Sequence, residues 1–284
     1  APGVLAAGAT QINIFVGSQL ASLLSVGAIS HLYYADRVYQ LPLGVIGVGL
    51  SVALLPQLSR EAQAGDEPAA RASLARAVEL ALWLTLPAAA AAIAIPELLV
   101  RALFERGAFT DADAAATASA LLAYAAGLPA FVLTKAQAPA FFARADTKGP
   151  ARAAGVSVAL NIALGLLLMG PLGHVGLALA TTLAGWVQAV WLGAVLLRRG
   201  WYAPDARSLW RLAGLGLAAA ALAGALFYAA PPLLAPLAGD SLRLIATLGV
   251  CLIGGLLYLL IAHVIGAARI DVALGEVRRG PGGA

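Results

Sequence analysis

Two opposite charges stand side by side within an apolar run of this 284-residue chain. They are Asp36 and Arg37, in His31-Leu32-Tyr33-Tyr34-Ala35-Asp36-Arg37-Val38-Tyr39-Gln40-Leu41-Pro42. A third charge, Lys135, lies in Leu133-Thr134-Lys135-Ala136-Gln137-Ala138-Pro139. Charges inside a bilayer cost several kcal/mol unless hydrated or paired, and they mark pathways for polar cargo. Adjacent helical residues diverge by about 100°, so Asp36 and Arg37 do not share a face. Asp36 and Gln40 do, at i, i+4, and so do Tyr33 and Arg37. Two readings fit. In one, Arg37 and Lys135 snorkel to the interfaces and Asp36 is locally hydrated. In the other, Tyr33, Asp36, Arg37, Gln40 and Lys135 line a hydrated cavity suited to an anionic head group. Arginine would clasp phosphate bidentately there, and lysine would act as a point charge.

Neutral polar groups also fall within apolar runs: Gln11, Asn13, Asn161, Thr181 and Thr182. Hydrogen bonds between helices are the default for the amides. Thr181 and Thr182 are expected to bond back to their own helix. A sodium site could be assembled from Gln11, Asn13, Asn161 and Thr181, but no acidic residue accompanies Asn161. Pro42 precedes Gly44, Gly47 and Gly49, a combination that allows a kink and close helix approach. Pro87, Pro129 and Pro139 are weaker kink candidates.

Enzyme chemistry is not visible. There is no paired carboxylate on one helix face, no Ser-His-Asp set and no phosphate loop ending in Gly-Lys-Ser or Gly-Lys-Thr. Cys251 has no internal disulfide partner, and His31, His174 and His263 are far apart with no ligand spacing. No cofactor and no nucleic-acid partner are expected.

The elements that position these residues are membrane helices. Apolar residues make up 61% of the chain and charged residues 11%, with a mean hydropathy of +0.88. A soluble domain carries about 25% charge, so these values exclude an ordinary soluble enzyme, a disordered chain and a disulfide scaffold. Spanning helices need about 20 mainly apolar residues. Eight such segments are expected, at 3–26, 31–57, 76–96, 114–137, 152–170, 174–197, 209–230 and 242–265. The fold class is therefore an all-α polytopic membrane bundle of eight transmembrane helices. Thr110 or Asp111 caps the fourth span. Gly170-Pro171-Leu172-Gly173 reads as a tight reversal, and Pro231-Pro232 ends the seventh span.

At 1.5 Å per residue, Arg37 sits about 9 Å into its span and Lys135 about 32 Å into its own, so they occupy different depths and do not pair. Thirteen basic residues fall in loops on one side of the bundle and three on the other. The positive-inside rule puts the thirteen, and both ends of the chain, in the cytoplasm. The chain starts at Ala1 without a signal-peptide pattern and reads as a fragment or a processed product.

The stretch from Gln11 to His174 resembles the MurJ (MviN) family of lipid II flippases, within the multidrug/oligosaccharidyl-lipid/polysaccharide exporter superfamily. The resemblance rests on Gln11-Ile12-Asn13, Tyr33-Tyr34-Ala35-Asp36-Arg37 with Pro42 and Gly44, and Leu54-Leu55-Pro56. It continues in Phe104-Glu105-Arg106-Gly107-Ala108-Phe109-Thr110, in the run from Lys135 to Asp146, and in Gly170-Pro171-Leu172-Gly173-His174-Val175-Gly176-Leu177. It implies the second six-helix lobe of a fourteen-helix flippase (1–200), plus two extra helices forming a lipid-tail groove (201–284). It also implies alternating-access movement of undecaprenyl-diphosphate-linked lipid II across the bacterial inner membrane, by a monomer in contact with membrane lipids. Asp36 and Arg37 match the family's cavity pair, while Gln40 stands where many members carry glutamate. Asn161 falls near a proposed sodium ligand, with Gly165 where an acidic partner would be needed. Sodium or the membrane potential would drive transport. The alternatives are another exporter of the superfamily with a different cargo, and a non-transporting membrane scaffold or degraded homologue.

Overall fold

The computed structural model describes residues 11, 15–234 and 240–266, and these are helical or in turns throughout. A short helix α1 covers 15–22. The next helix is continuous from Ala28 to Gln63, in three stretches. They are α2 (Ala28–Pro42), a π-helical segment (Leu43–Val48) and α3 (Gly49–Gln63). Then follow α4 (Glu67–Ala94), the short α5 (Pro96–Phe104), α6 (Asp111–Ala125), α7 (Leu128–Phe142), α8 (Lys148–Arg198), α9 (Ala206–Leu234) and α10 (Asp240–Val264).

Local chemistry sets the ends. Asp66 caps α4 by accepting the Ala69 N–H at 3.0 Å, with Pro68 just inside the helix. Of the two expected caps, Thr110 rather than Asp111 caps α6, in a reciprocal box with Asp113. Pro42 does not end the helix. It has no N–H for the Val38 carbonyl, and the glycine-rich turn that follows widens into the π-helical segment.

The 51 residues of α8 are two antiparallel limbs. Gly173, at φ 56° and ψ −135°, breaks the helix in a region that favours glycine. Beyond it the chain folds back: Ser157 Oγ donates to the Ala184 carbonyl at 3.0 Å, and Thr181 Oγ1 to Asn161 Oδ1 at 3.3 Å. Each limb is about 37 Å long, enough to cross a bilayer core of about 30 Å. The expected reversal at 170–173 is thus present as a single-residue break.

Six helices among the described residues are long and apolar enough to cross a membrane, and the two limbs of α8 raise the crossings to seven. The expected first span lies mostly outside the described residues. The expected limits need correction because helices continue through polar turns beyond the apolar runs. The second span reaches from 28 to 63, the third starts at 67, and the fourth runs from 111 to 142 with a break at 126–127. Pro231 and Pro232 lie within the last turn of α9, which continues to Leu234.

Five clusters among the described residues hold the bundle, the smallest being Leu20, Ala21 and Leu177, which seats α1 on α8. Ala35, Leu121, Tyr124 and Ala178 join α2, α6 and the second limb of α8. Leu58, Leu74, Phe141 and Leu196 join α3, α4, α7 and the end of α8. Ala81, Leu128 and Ala136 pack α4 on α7. The last two helices sit on α4 and the start of α5, where Ala90 and Ile95 meet Leu215, Leu222, Ala230 and the fully buried Tyr258.

Candidate functional site

The helical pitch divides α2 into two faces. Ala28, Ala35 and, partly, Tyr39 pack inward, and Tyr39 stacks on Tyr124 with centroids 5.1 Å apart. The opposite face presents Ser30, Tyr33, Arg37 and Gln40, all exposed. Arg37 lies over the Tyr33 ring, with the guanidinium carbon 4.6 Å from its centroid. Asp36, half-buried between the faces, accepts a hydrogen bond from Gln40 Nε2. Both expected i, i+4 pairs are therefore in place. Among the described residues Arg37 makes no ion pair, unlike Arg101, Arg144, Arg199 and Arg211.

The helix starts at Ala28 rather than 31, so Arg37 is about 14 Å from its beginning. Lys135 projects from α7 and is exposed. Its Cγ lies 3.3 Å from where a Cβ on Gly47 would stand. Gly47 is ten residues past Arg37 on the same continuous helix, so the two cations are offset by roughly 15 Å. They lie at different levels of one wall and do not pair.

Asn161 and Thr181 do meet, through the 3.3 Å hydrogen bond across the α8 hairpin, while Thr181 also bonds back to Leu177 at 3.0 Å. Thr182 departs from expectation: its hydroxyl donates to the Ala123 carbonyl of α6 at 2.7 Å. Gly127 makes that approach possible, since a Cβ there would stand 2.7 Å from Thr182 Oγ1. Buried Gly165 faces Leu177 on the next turn from Asn161, so among the described residues the hairpin brings neutral oxygens and no carboxylate to this point. That donor set fits sodium poorly. Gln11 is helical and exposed, and Asn13 lies outside the described residues.

Some groupings escape linear reading. His31 and His174 come together with ring centroids 5.6 Å apart, although 143 positions separate them. His31 Nε2 lies 3.8 Å from Asp113 Oδ1, and His174 Nε2 is 2.9 Å from the Ala116 carbonyl. The signal was topological, because both histidines begin helices that start at the same end of the bundle. At the other end, Trp201 is held between Arg144 and Arg199, each 4.7 Å from its ring. Arg144 clasps Glu67 at 2.7 and 3.3 Å, and Arg199 meets Asp146 at 2.6 Å. Burial would raise the Asp146 carboxyl, but the Gly149 N–H and the Arg199 guanidinium outweigh it and hold it below its ordinary range. Glu79 of α4 accepts from Ser208 at 2.5 Å and Arg211 at 3.3 Å, which docks the start of α9.

A family model described as "Lipid II flippase MurJ" matches residues 1–245. This chain belongs to the MurJ family. A protein of Rhizobium meliloti (strain 1021) named "Probable lipid II flippase MurJ" is 42% identical over 98% of this chain and 52% of its own length. A Vibrio cholerae protein of the same name is 31% identical over 95% of the chain and 52% of its own length. The chain thus spans about half the length of these curated relatives. A solved structure titled "Lipid II flippase MurJ, inward closed conformation" superposes with a TM-score of 0.74 at 25% identity, over 90% of this chain and 51% of that one. An outward-facing multidrug resistance MATE family transporter of the MOP superfamily has the same fold, at TM-score 0.60 and 18% identity over 92% of this chain and 62% of that one. The MurJ family chain is a multi-pass membrane protein of a transporter family.

Proposed function

We propose that this chain supplies one lobe and two added helices of a flippase that carries lipid II from the inner to the outer leaflet of the bacterial inner membrane. The observation that carries the reading is the exposed α2 face, where Arg37 lies over Tyr33 and, among the described residues, forms no ion pair. In a MurJ-family chain such a cation suits the diphosphate of the lipid head group. A second lobe, matching the further length of the relatives, would close the cavity over this face, and the lobes would rock between inward and outward openings.

The basic end of the bundle, at 64–66, 143–147 and 199–205, is placed in the cytoplasm by the positive-inside rule. Lys135 is then the inner station and Arg37 the outer one. A head group entering from the cytoplasmic leaflet would meet Lys135 as a point charge and pass outward to the bidentate grip of Arg37. The drive falls to the membrane potential, worth about 2.3 kcal/mol per elementary charge per 100 mV. No step is assigned to sodium, because Asn161 and Thr181 bring no carboxylate.

The test is lipid II translocation by the full-length protein in vesicles, paired with complementation of a flippase-depleted strain. Arg37→Ala is expected to lower translocation at least tenfold with unchanged membrane abundance, and Arg37→Lys to retain part of it. Full complementation by Arg37→Ala overturns the role of Arg37. A wild-type protein that moves another lipid-linked saccharide but not lipid II overturns the cargo assignment.

A further inference from the structure

The end of the bundle opposite the basic loops carries a cavity of about 510 Å³, between the start of α2 and the loop joining α5 to α6. Its size lies within the roughly 300–1,000 Å³ typical of small-ligand sites. One wall is aromatic. Tyr34 packs against Phe104 at 4.9 Å and edge-on against Phe109 at 5.3 Å. The polar wall comprises Ser30, His31, Arg106 and Asp113.

We infer that this cavity is a carbohydrate site. The charges decide against an anion. Arg106 is a single cation whose Nη2 already donates to the Leu103 carbonyl, and it shares the cavity with the Asp113 carboxylate. A phosphate here would face a like charge, which disfavours it. A neutral polyol meets no such penalty. Its hydroxyls find both donors and acceptors in Ser30, His31, Arg106 and Asp113. Its apolar ring face finds the flat surfaces of Tyr34 and Phe109.

The cavity also continues the cation wall. Arg37 covers Tyr33, the Tyr33 and Tyr34 rings meet at 6.1 Å, and Tyr34 enters the cavity. From Ser30 to Arg37 the helix rises about 10 Å. A sugar diphosphate with its phosphates on Arg37 would therefore reach the cavity with its saccharide. That extension rests on the flippase reading above, whereas carbohydrate binding by the cavity does not.

The experiment is saturation-transfer NMR on the detergent-solubilised full-length protein, with a soluble N-acetylated disaccharide as probe and inorganic pyrophosphate as competitor. Ala108→Trp fills the cavity without touching a cap or an ion pair, and Tyr34→Leu removes the ring while keeping its apolar bulk. Binding by the wild type, weakened at least tenfold by either variant and insensitive to pyrophosphate, is the expected result. No transfer to the wild type, binding by both variants as strong as by the wild type, or displacement by pyrophosphate overturns the inference. Lipid II translocation measured on the same variants separates the two readings. Loss of sugar binding with transport intact removes the cavity from the path and leaves the flippase assignment standing. Sugar binding by a wild type that moves no lipid II sinks that assignment alone.

Discussion

Arg144 and Arg37 both lie over an aromatic ring, at 4.7 and 4.6 Å, yet their surroundings are opposite. Arg144 is nearly buried, clasps Glu67 with two nitrogens and donates to the Ala140 carbonyl. With Arg199, Asp146 and Trp201 it ties together the loops at the basic end. Arg37 stands on an exposed helix face with a ring beneath it and, among the described residues, no ion pair. A guanidinium whose donors are satisfied by its own protein holds structure. One whose donors are left open is available to an anion that comes and goes. The same residue type thus separates a structural end of the lobe from the face proposed for transport.

That contrast is broken or sharpened most strongly by exchanging the two losses. Arg37→Ala should cost at least tenfold in lipid II translocation by the full-length protein and leave the thermal midpoint unchanged. Arg144→Ala should do the reverse. Loss of its charged hydrogen bonds should lower stability by roughly 1.5–3 kcal/mol, read from thermal unfolding in detergent, with transport per folded molecule retained. If both variants lose stability alike, Arg37 is structural and the contrast fails.

A smaller effect is expected away from both regions, in the α8 hairpin. A Cβ at Gly176 would collide with the Leu168 carbonyl across the reversal. Gly176→Ala should therefore destabilise by about 1–3 kcal/mol, the usual range for overpacking, and lower the yield of folded protein. Normal stability of this variant would show that the limbs are not packed so closely. The smallest effect is at the α6 cap. Thr110→Ala removes the acceptor for the Asp113 N–H and should cost about 1 kcal/mol. Thr110→Ser should restore most of it in the same unfolding measurement.

Much of this arrangement was legible in the sequence because it is local. The apolar runs gave the spans, the polar turn before the fourth run gave the cap as Thr110 or Asp111, and the i, i+4 rule gave the Tyr33–Arg37 and Asp36–Gln40 pairs. Counting residues along each span also separated Arg37 from Lys135 in depth. What depends on tertiary packing was not legible. Thr182 could reach its own helix or a neighbour, and only the close approach at Gly127 decides for Ala123. His31 and His174 meet because three helices begin at one end of the bundle. Trp201 lies outside the apolar runs, and its place between Arg144 and Arg199 is set by loops distant in sequence. The span ends drifted because capping and polar turns, rather than hydropathy, determine where hydrogen bonding stops.

The central claim is that the α2 face bearing Arg37 borders water rather than acyl chains. It is tested most directly by cysteine accessibility in the full-length protein with Cys251 replaced by serine. Single cysteines at Tyr33, Arg37 and Gln40 should react rapidly with a membrane-impermeant thiol reagent. Cysteines at Ala35, buried in the bundle, and at Phe227, 60% exposed on α9, should not. Reaction at position 37 as slow as at position 227 would put the guanidinium in lipid and contradict the account.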